Sequence, residues 1–281
     1  MSLSEGYSFQ HGDLQFTGYT LAGITTSIYF KNANTLFDVG QGLPFQMGAK
    51  RVLLTHGHLD HAAGVPYLIA QRNMQSQAQN DIYTPPSLAE PLGKIIRLWQ
   101  EIDQHEYRYR LEGVAPGTLT EIDKHFAFKP FRTVHRVESQ GYLIYQRKKR
   151  LKEEFRGADP EIILAARRRG EDPNELFLEP VVAFTGDTQI EFIDSDPDIA
   201  AARVLFMECT FFGEGKTVEH ARRWGHLHFD ELRAALPQLT NERIVLIHAS
   251  VRYSNAYINK ILDEALSPAD RARVVLFPRA G

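Results

Sequence analysis

Between Thr55 and His61 the chain reads Thr-His-Gly-His-Leu-Asp-His, so three imidazoles and a carboxylate fall within six residues. Side chains of these types at this spacing suit metal chemistry. His56 and His58, two apart, can grip one ion from a tight turn, and Asp60 with His61 can face a second. Neutral imidazole and carboxylate are good ligands for Zn²⁺ and its neighbours. Such a motif needs structural context, and its flanks supply some. Arg51-Val52-Leu53-Leu54 is a short, apolar, β-prone run, and residues 62–69 are apolar enough to enter a buried helix. The cluster therefore stands where a core strand ends and a helix begins, a usual place for a site in an α/β fold.

Other apolar runs also end at polar side chains. Val181-Val182-Ala183-Phe184 leads into Thr185-Gly186-Asp187, and a carboxylate there can bridge two ions. Residues 203–207 end at Glu208, residues 244–247 at His248, and a strand over 126–135 at His135. His105 and His125 sit in polar, unpatterned surroundings and read as surface residues.

The elements that must position these groups alternate between strand and helix patterns. Residues 14–39 read as a β-meander punctuated by Gly18 and Gly23. A helix is expected over 60–72, and a short strand at Ile82-Tyr83 closes at Pro85-Pro86. A second helix is expected over 87–102, capped by Ser87, with Leu88, Leu92, Ile95, Ile96 and Trp99 as its core stripe. Ser254 caps a final helix carrying Ile258, Ile261 and Leu262, and Val274-Val275-Leu276 adds an edge strand. Residues 146–178 change character: Arg147-Lys148-Lys149-Arg150-Leu151-Lys152 is strongly basic, and an amphipathic helix pattern follows it. This segment reads as a projecting insertion between two core strands. No repeat of 20 to 50 residues is visible.

A chain of 281 residues with 43% hydrophobic and 24% charged content is an ordinary globular protein of one large domain or two small ones. Its net charge of −3 gives no overall basic character, so contact with nucleic acid would have to come from local basic runs. A single cysteine, Cys209, excludes an intrachain disulfide and a Cys-rich zinc site, and fits a reducing, cytoplasmic compartment. No stretch approaches the roughly 20 apolar residues of a membrane helix, and the N-terminus lacks the pattern of a signal peptide.

The His-x-His-x-Asp-His motif after an apolar strand resembles the signature of the metallo-β-lactamase superfamily. The order His56 to His61, His135, Asp187, Glu208, His248 matches that superfamily over nearly the whole chain. The closer resemblance is to the ribonuclease Z branch, the tRNA 3′-processing endonucleases, in its short form. It rests on Ser139-x-Gly141-Tyr142, Phe184-Thr185-Gly186-Asp187-Thr188, Glu208-Cys209-Thr210-Phe211, Gly225-His226-x-His228 and His248-x-Ser250-x-Arg252-Tyr253. Plant short forms, which also carry a basic segment between the third histidine and the bridging aspartate, look nearest.

The resemblance implies a four-layer αβ/βα sandwich, one domain over 1–281, with 146–178 as an arm-like basic insertion. It implies two Zn²⁺, with Mn²⁺ or another divalent ion as the alternative. One ion would take His56, His58, His135 and Asp187, and the other Asp60, His61, Asp187 and His248, with Asp187 bridging. Ions about 3.5–4 Å apart can clamp the attacking and leaving oxygens of a phosphodiester. Asp60 would also orient the attacking water as general base. Glu208 and His226 resemble the family's donor pair, the carboxylate favouring the imidazolium that protonates the leaving alkoxide. His228 stands where many members have threonine and is a second candidate donor; its place in the motif favours His226. Asp38, at the end of the run Thr35-Leu36-Phe37, would brace the metal-binding loop by accepting a hydrogen bond from a ligand histidine.

Pre-tRNA is the substrate this branch implies. Arg147, Lys148, Lys149, Arg150 and Lys152 would contact its phosphates, with Arg252 also binding substrate. The competing reading is hydrolysis of a small phosphodiester by the same two metals. It draws on one departure: residues 21–27, Leu-Ala-Gly-Ile-Thr-Thr-Ser, hold no basic residue where many bacterial ribonucleases Z have a Pro-x-Lys-x-Arg-Asn loop. A di-iron oxidoreductase is disfavoured because that branch has glutamate where His58 stands. A homodimer is left open by the resemblance, and no membrane partner is implied.

Overall fold

A computed structural model describes residues 5–279 except Ser76 and Ala78. Its strands form two sheets of seven, each with spatial order equal to chain order. The first comprises β1 (Tyr7–His11), β2 (Leu14–Leu21), β3 (Thr25–Phe30), β4 (Thr35–Phe37), β5 (Arg51–Leu53), β6 (Asn80–Thr84) and β7 (Tyr109–Gly113). The second comprises β8 (Thr120–Glu121), β9 (Phe126–Arg132), β10 (Gln140–Leu151), β11 (Asn174–Phe184), β12 (Val204–Glu208), β13 (Arg243–Ile247) and β14 (Val274–Leu276). In the first sheet β1 to β4 pair antiparallel and β4 to β7 parallel. The second sheet repeats this plan, antiparallel from β8 to β11 and parallel from β11 to β14.

Three apolar cores define four layers, as expected for an αβ/βα sandwich. The middle core joins the inner sheet faces through Phe16, Phe30, Phe37, Phe128, Phe184 and Phe206. A second packs Leu205, Leu246, Leu232, Ile258 and Leu262 between the second sheet and its helices, and a third packs Val52, Ile82, Leu68, Ile69 and Ile96 against the first. Central parallel strands are buried on both faces and read as continuous apolar runs, which is why β12 and β13 were plain in the sequence.

Several boundaries differ from expectation. The helix expected over 60–72 is two pieces, Leu59–Ala62 and Val65–Met74, parted at Gly64. The next helix starts at Pro86, so Pro85 holds the capping position and Ser87 lies inside. On that helix Leu92 and Ile96 are buried, while Ile95 and Trp99 are about half exposed, so the expected core stripe is only partly core. Strand β9 ends at Arg132, leaving His135 in the following loop. The largest difference is in the basic insertion. Strands β10 and β11 pair from Tyr142↔Phe184 out to Leu151↔Asn174, so Arg147 to Arg150 lie on a β-ribbon. The ribbon's tip carries the helix Pro160–Arg168, capped by the Asp159 side chain. Ser254 caps its helix as expected.

The sheets are tied together at one end. Fully buried Tyr142 on β10 donates its hydroxyl to the carbonyl of Leu54, just past β5, at 2.8 Å, and accepts from Gln140 Nε2 at 2.8 Å. Tyr142→Phe strands the Gln140 donor in the interior and is expected to cost about 1–3 kcal/mol. Urea unfolding measures it, and an unchanged midpoint would show the hydroxyl to be idle.

Candidate metal centre and active site

The loops after β5, β9, β11 and β13 bring the ligand candidates to one end of the sandwich. His56, His58, His135 and Asp187 form one group and Asp60, His61 and His248 another, the ligand atoms of each lying within 4.8 Å of one another. Asp187 faces both. Its Oδ2 is 3.7 Å from His56 Nε2 and 4.0 Å from His135 Nε2; its Oδ1 is 3.3 Å from His61 Nε2 and 3.4 Å from His248 Nδ1. Asp60 Oδ2 lies 3.3 Å from His248 Nε2. Gly186 makes this approach achievable. It has a φ of +61°, and a Cβ there would sit 2.6 Å from the Thr55 side chain, so only glycine lets the Asp187 loop close on the His56 loop.

Polar partners outside the cluster orient the rings. Asp38, at a left-handed φ of 54°, accepts from Thr55 N at 2.7 Å and Thr55 Oγ1 at 2.9 Å, and takes His61 Nδ1 at 2.8 Å. Because the Thr55 hydroxyl donates to Asp38, its oxygen is left to accept from His56 Nδ1, 2.9 Å away. The Gly225 carbonyl accepts from His135 Nδ1 at 2.8 Å. Each of these three rings therefore keeps its Nε2 for the interior, the arrangement that fixes the tautomer of a ligand histidine. His56 Nε2, His61 Nε2 and Asp187 Oδ1 are buried with no hydrogen-bond partner. Unpaired buried polar atoms are rare and costly, and their convergence here fits a divalent cation.

The charges agree. Burial, then the neighbouring His61, pushes His56 well below its ordinary pKa, and burial does the same more mildly for His58 and His135, leaving lone pairs free. Burial opposes charge on His61 too, but Asp187 and Asp38 outweigh it and hold its pKa well above normal. Burial would raise Asp60, yet the His248 hydrogen bond and His61 keep it below the usual carboxylate range.

Beside the cluster, His226 Nδ1 lies 2.9 Å from Glu208 Oε1. Glu208 is fully buried and also accepts from Thr188 N, Thr210 Oγ1 and Leu227 N. Burial alone would lower the His226 pKa, but the Glu208 carboxylate lifts it to about 9. His228 points elsewhere: its Nδ1 accepts from Asp230 N to cap the helix Phe229–Ala235, and its Nε2 lies 3.1 Å from the Gly213 carbonyl.

A cavity of about 490 Å³ opens over these groups, lined among others by Asp60, Asp187, His226, His248 and Arg252. Sequence reasoning did not single out Arg136, Lys216, His220 or Trp224, which also line it; no motif marks them. Nor did it assign a role to Gly23, whose N–H donates to Asp60 Oδ2 at 2.9 Å from the loop that lacks basic residues. Arg147, Lys148, Lys149, Arg150 and Lys152 are not brought to the site. Strand β10 starts beside it, where Gln140 N donates to the Thr55 carbonyl, and runs away. At about 3.3 Å per residue the basic run begins roughly 20 Å off. Four of the five cations face carboxylates: Arg147–Glu121, Lys148–Glu179, Lys149–Asp172 and Arg150–Glu175.

Residues 34–249 match the beta-lactamase superfamily domain. The chain is 32% identical to tRNase Z TRZ1 of Arabidopsis thaliana over 268 residues, covering 93% of this chain and 95% of that protein. It belongs to the beta-lactamase superfamily, in its tRNase Z branch. The chloroplastic tRNase Z TRZ2 of the same plant is 29% identical over 264 residues, covering 93% of this chain and 73% of its own. The short form of human tRNase Z has the same fold, with a TM-score of 0.61 at 19% identity over 94% of this chain and 95% of that one. The protein is thus a ribonuclease Z-like hydrolase with a His/Asp cluster suited to a divalent metal. Among the described residues no helix is long and apolar enough to cross a membrane.

In a tRNase Z site built this way, Asp38 sets the orientation of His61. Asp38→Asn keeps the shape but removes the charge on Nδ1–H, so metal affinity is expected to fall about 10- to 100-fold. Competition with a chromophoric chelator measures it, and an unchanged affinity would show that the bond does not tune the ligand.

Proposed function

We propose that the protein is a dinuclear zinc phosphodiesterase that cleaves 3′ trailers from pre-tRNA. The observation that carries this reading is the His226–Glu208 pair, 2.9 Å apart, set against the two ligand groups that Asp187 faces with its two oxygens. A hydrolase acting on a poor leaving group needs such a donor; the relatives named tRNase Z supply the substrate. A cytoplasmic setting fits the lone, buried Cys209.

His56, His58, His135 and Asp187 would hold one ion and Asp60, His61, Asp187 and His248 the other, with Mn²⁺ as the alternative to Zn²⁺. Bound there, the ions supply Lewis acidity and lower the pKa of a water towards neutrality. Asp60, ionised and held by the Gly23 N–H, orients the attacking water and accepts its proton. Glu208 occupies His226 Nδ1, so His226 donates from Nε2 to the departing ribose oxygen. Arg252, at the cavity rim, can hold a neighbouring phosphate.

The deciding experiment is incubation of zinc-loaded protein with a 3′-extended pre-tRNA beside bis-p-nitrophenyl phosphate. His226→Ala is expected to slow RNA cleavage about 10²- to 10⁴-fold, the usual worth of general acid catalysis. The aryl ester should be nearly spared, because p-nitrophenolate leaves without a proton. Equal losses on both would mean that His226 holds structure instead.

Residues 146–178 act in this reading as an arm that grips the body of the RNA. The segment carries nine basic and seven acidic side chains. Exposed ion pairs such as Arg150–Glu175 are worth little, so phosphates can take the place of the carboxylates. The small-phosphodiester reading draws on the same pairing and on the arm's distance from the cavity. Neutralising Arg147, Lys148, Lys149, Arg150 and Lys152 together is expected to raise KM for pre-tRNA and flatten its salt dependence while sparing the small ester. Unchanged binding of pre-tRNA at physiological salt would remove the arm from the account. A homodimer, read by sedimentation, would cover exposed apolar residues such as Tyr67, Met74 and Ile102.

A further inference from the structure

We propose that Trp224, backed by Arg136, is the stacking platform for the base of the nucleotide whose 3′ oxygen leaves. The inference rests on the reading of the cavity as an RNA phosphodiesterase site. Trp224 lines the cavity and is 46% exposed, although the helix it follows is anchored in the core through fully buried Ala221. The Arg136 guanidinium lies over the indole at 4.9 Å from the ring centroid, and among the described residues it has no carboxylate partner. One indole face is thus covered by a cation, and the residue's exposure leaves the ring room for a second planar group. Exposed aromatics beside positive charge are how single-stranded nucleic acids are gripped, because every base has a π-face.

The platform is rigid and its position is fixed relative to the chemistry. Trp224 N donates to the Ala221 carbonyl, Gly225 N to Arg222, and His226 N to Ala221, which locks the turn. Gly225 has a φ of +75°, and a Cβ on it would meet His135 Nδ1 at 2.8 Å and Arg136 N at 3.0 Å. Glycine therefore lets the Trp224 turn press against the His135–Arg136 segment. The outcome is that Trp224 stands two residues before the proton donor, and Arg136 directly after a ligand histidine. Trp224 and His226 line the same cavity, so a base stacked on the indole would belong to the nucleotide that carries the oxygen His226 protonates. Lys216 and Arg252 also line the cavity, and neither has a carboxylate partner among the described residues. Unlike the four paired cations of the arm, these are free to meet the backbone phosphates of the same strand.

The test compares Trp224→Ala and Trp224→Phe on pre-tRNA and on bis-p-nitrophenyl phosphate. KM for pre-tRNA should rise about ten-fold in the alanine variant, the order of one base–aromatic stack, and much less in the phenylalanine variant. The loss on the small ester should be much smaller than on pre-tRNA, and the circular dichroism spectrum of each variant should match the parent's, which reports that it is folded. A substrate lacking the base 5′ to the cut should show the same loss with the parent and no further loss with Trp224→Ala. Removal of the base 3′ to the cut should weaken both proteins alike. Additive losses from the variant and the 5′ abasic site would overturn the proposal. A binding readout needs no turnover: a short single-stranded oligoribonucleotide should quench tryptophan emission of the parent but not of Trp224→Phe, which retains only Trp99 of the chain's two tryptophans. Equal quenching in both would also overturn it. If the parent hydrolyses the ester but leaves pre-tRNA intact, the substrate reading falls; if it cuts pre-tRNA and Trp224→Ala does so equally well, only the platform falls.

Discussion

Everything in the site depends on two sheets closing on each other at one end. Phe37 and Phe184, the last residues of β4 and β11, stack at 4.7 Å with their planes 9° apart. The residues that follow them, Asp38 and Thr185-Gly186-Asp187, are thereby delivered to the same place. The contact of Gly186 with Thr55 then sets how close the loops come. Any side chain at 186 would need more than half an ångström of room in a region with no slack, since interiors are close-packed. The Asp187 oxygens would retreat from the imidazoles they face at 3.3 to 4.0 Å.

The second sheet repeats the first in strand direction, so corresponding strand ends can be compared. Asp38 follows β4 and Asp187 follows near the end of β11, its counterpart; the His56 cluster follows β5, and Glu208 ends β12. One half has turned its strand-end aspartate into an outer brace on His61, while the other presents it between the ligand groups. The difference is one of hydrogen bonding, since both side chains are buried. Asp38 is used up by Thr55 and His61, whereas Asp187 Oδ1 is buried without a hydrogen bond. The same residue type, just past corresponding strands, thus serves orientation in one half and ligand capacity in the other. The sequence carries no trace of this repeat, because side-chain identity is free wherever only strand direction is shared.

What could be read from the sequence follows the strength of each local signal. Central strands buried on both faces announce themselves as apolar runs, so β5, β11, β12 and β13 and the residues they deliver were legible. Edge strands were not: β1 has a half-buried, alternating pattern and β7 is Tyr-Arg-Leu-Glu-Gly, which hydropathy cannot tell from a loop. The basic run hid its strand because cross-strand carboxylates, invisible in a one-dimensional reading, hold its charges at Arg147–Glu121 and Arg150–Glu175. His228 was ambiguous for a related reason. Its capping bond to Asp230 N is local, but sidedness decides its role: it turns to the Gly213 carbonyl while His226, two residues earlier, turns to Glu208. The Trp224 and Arg136 pair joins segments nearly ninety residues apart, and no single-sequence pattern encodes such a contact.

The site also bears on folding. His56 and His61 have ring centroids 4.2 Å apart in a region closed to water. Burial opposes charge on His61, but Asp187 and Asp38 outweigh it and push its pKa well above normal. Removing ionised groups from water costs several kcal/mol each unless partners compensate, and Asp187 Oδ1 and two imidazole nitrogens stay unpaired. The apolar stack of Phe37 on Phe184 and the Tyr142 hydroxyl on the opposing loop hold the end of the sandwich shut against this cost. A cation that binds only the assembled cluster would offset this cost, taking up the unpaired imidazole nitrogens and the carboxylate oxygen and stabilising the fold by mass action. Protein stability and loading of the centre are then one equilibrium, with strand-end geometry as its common cause.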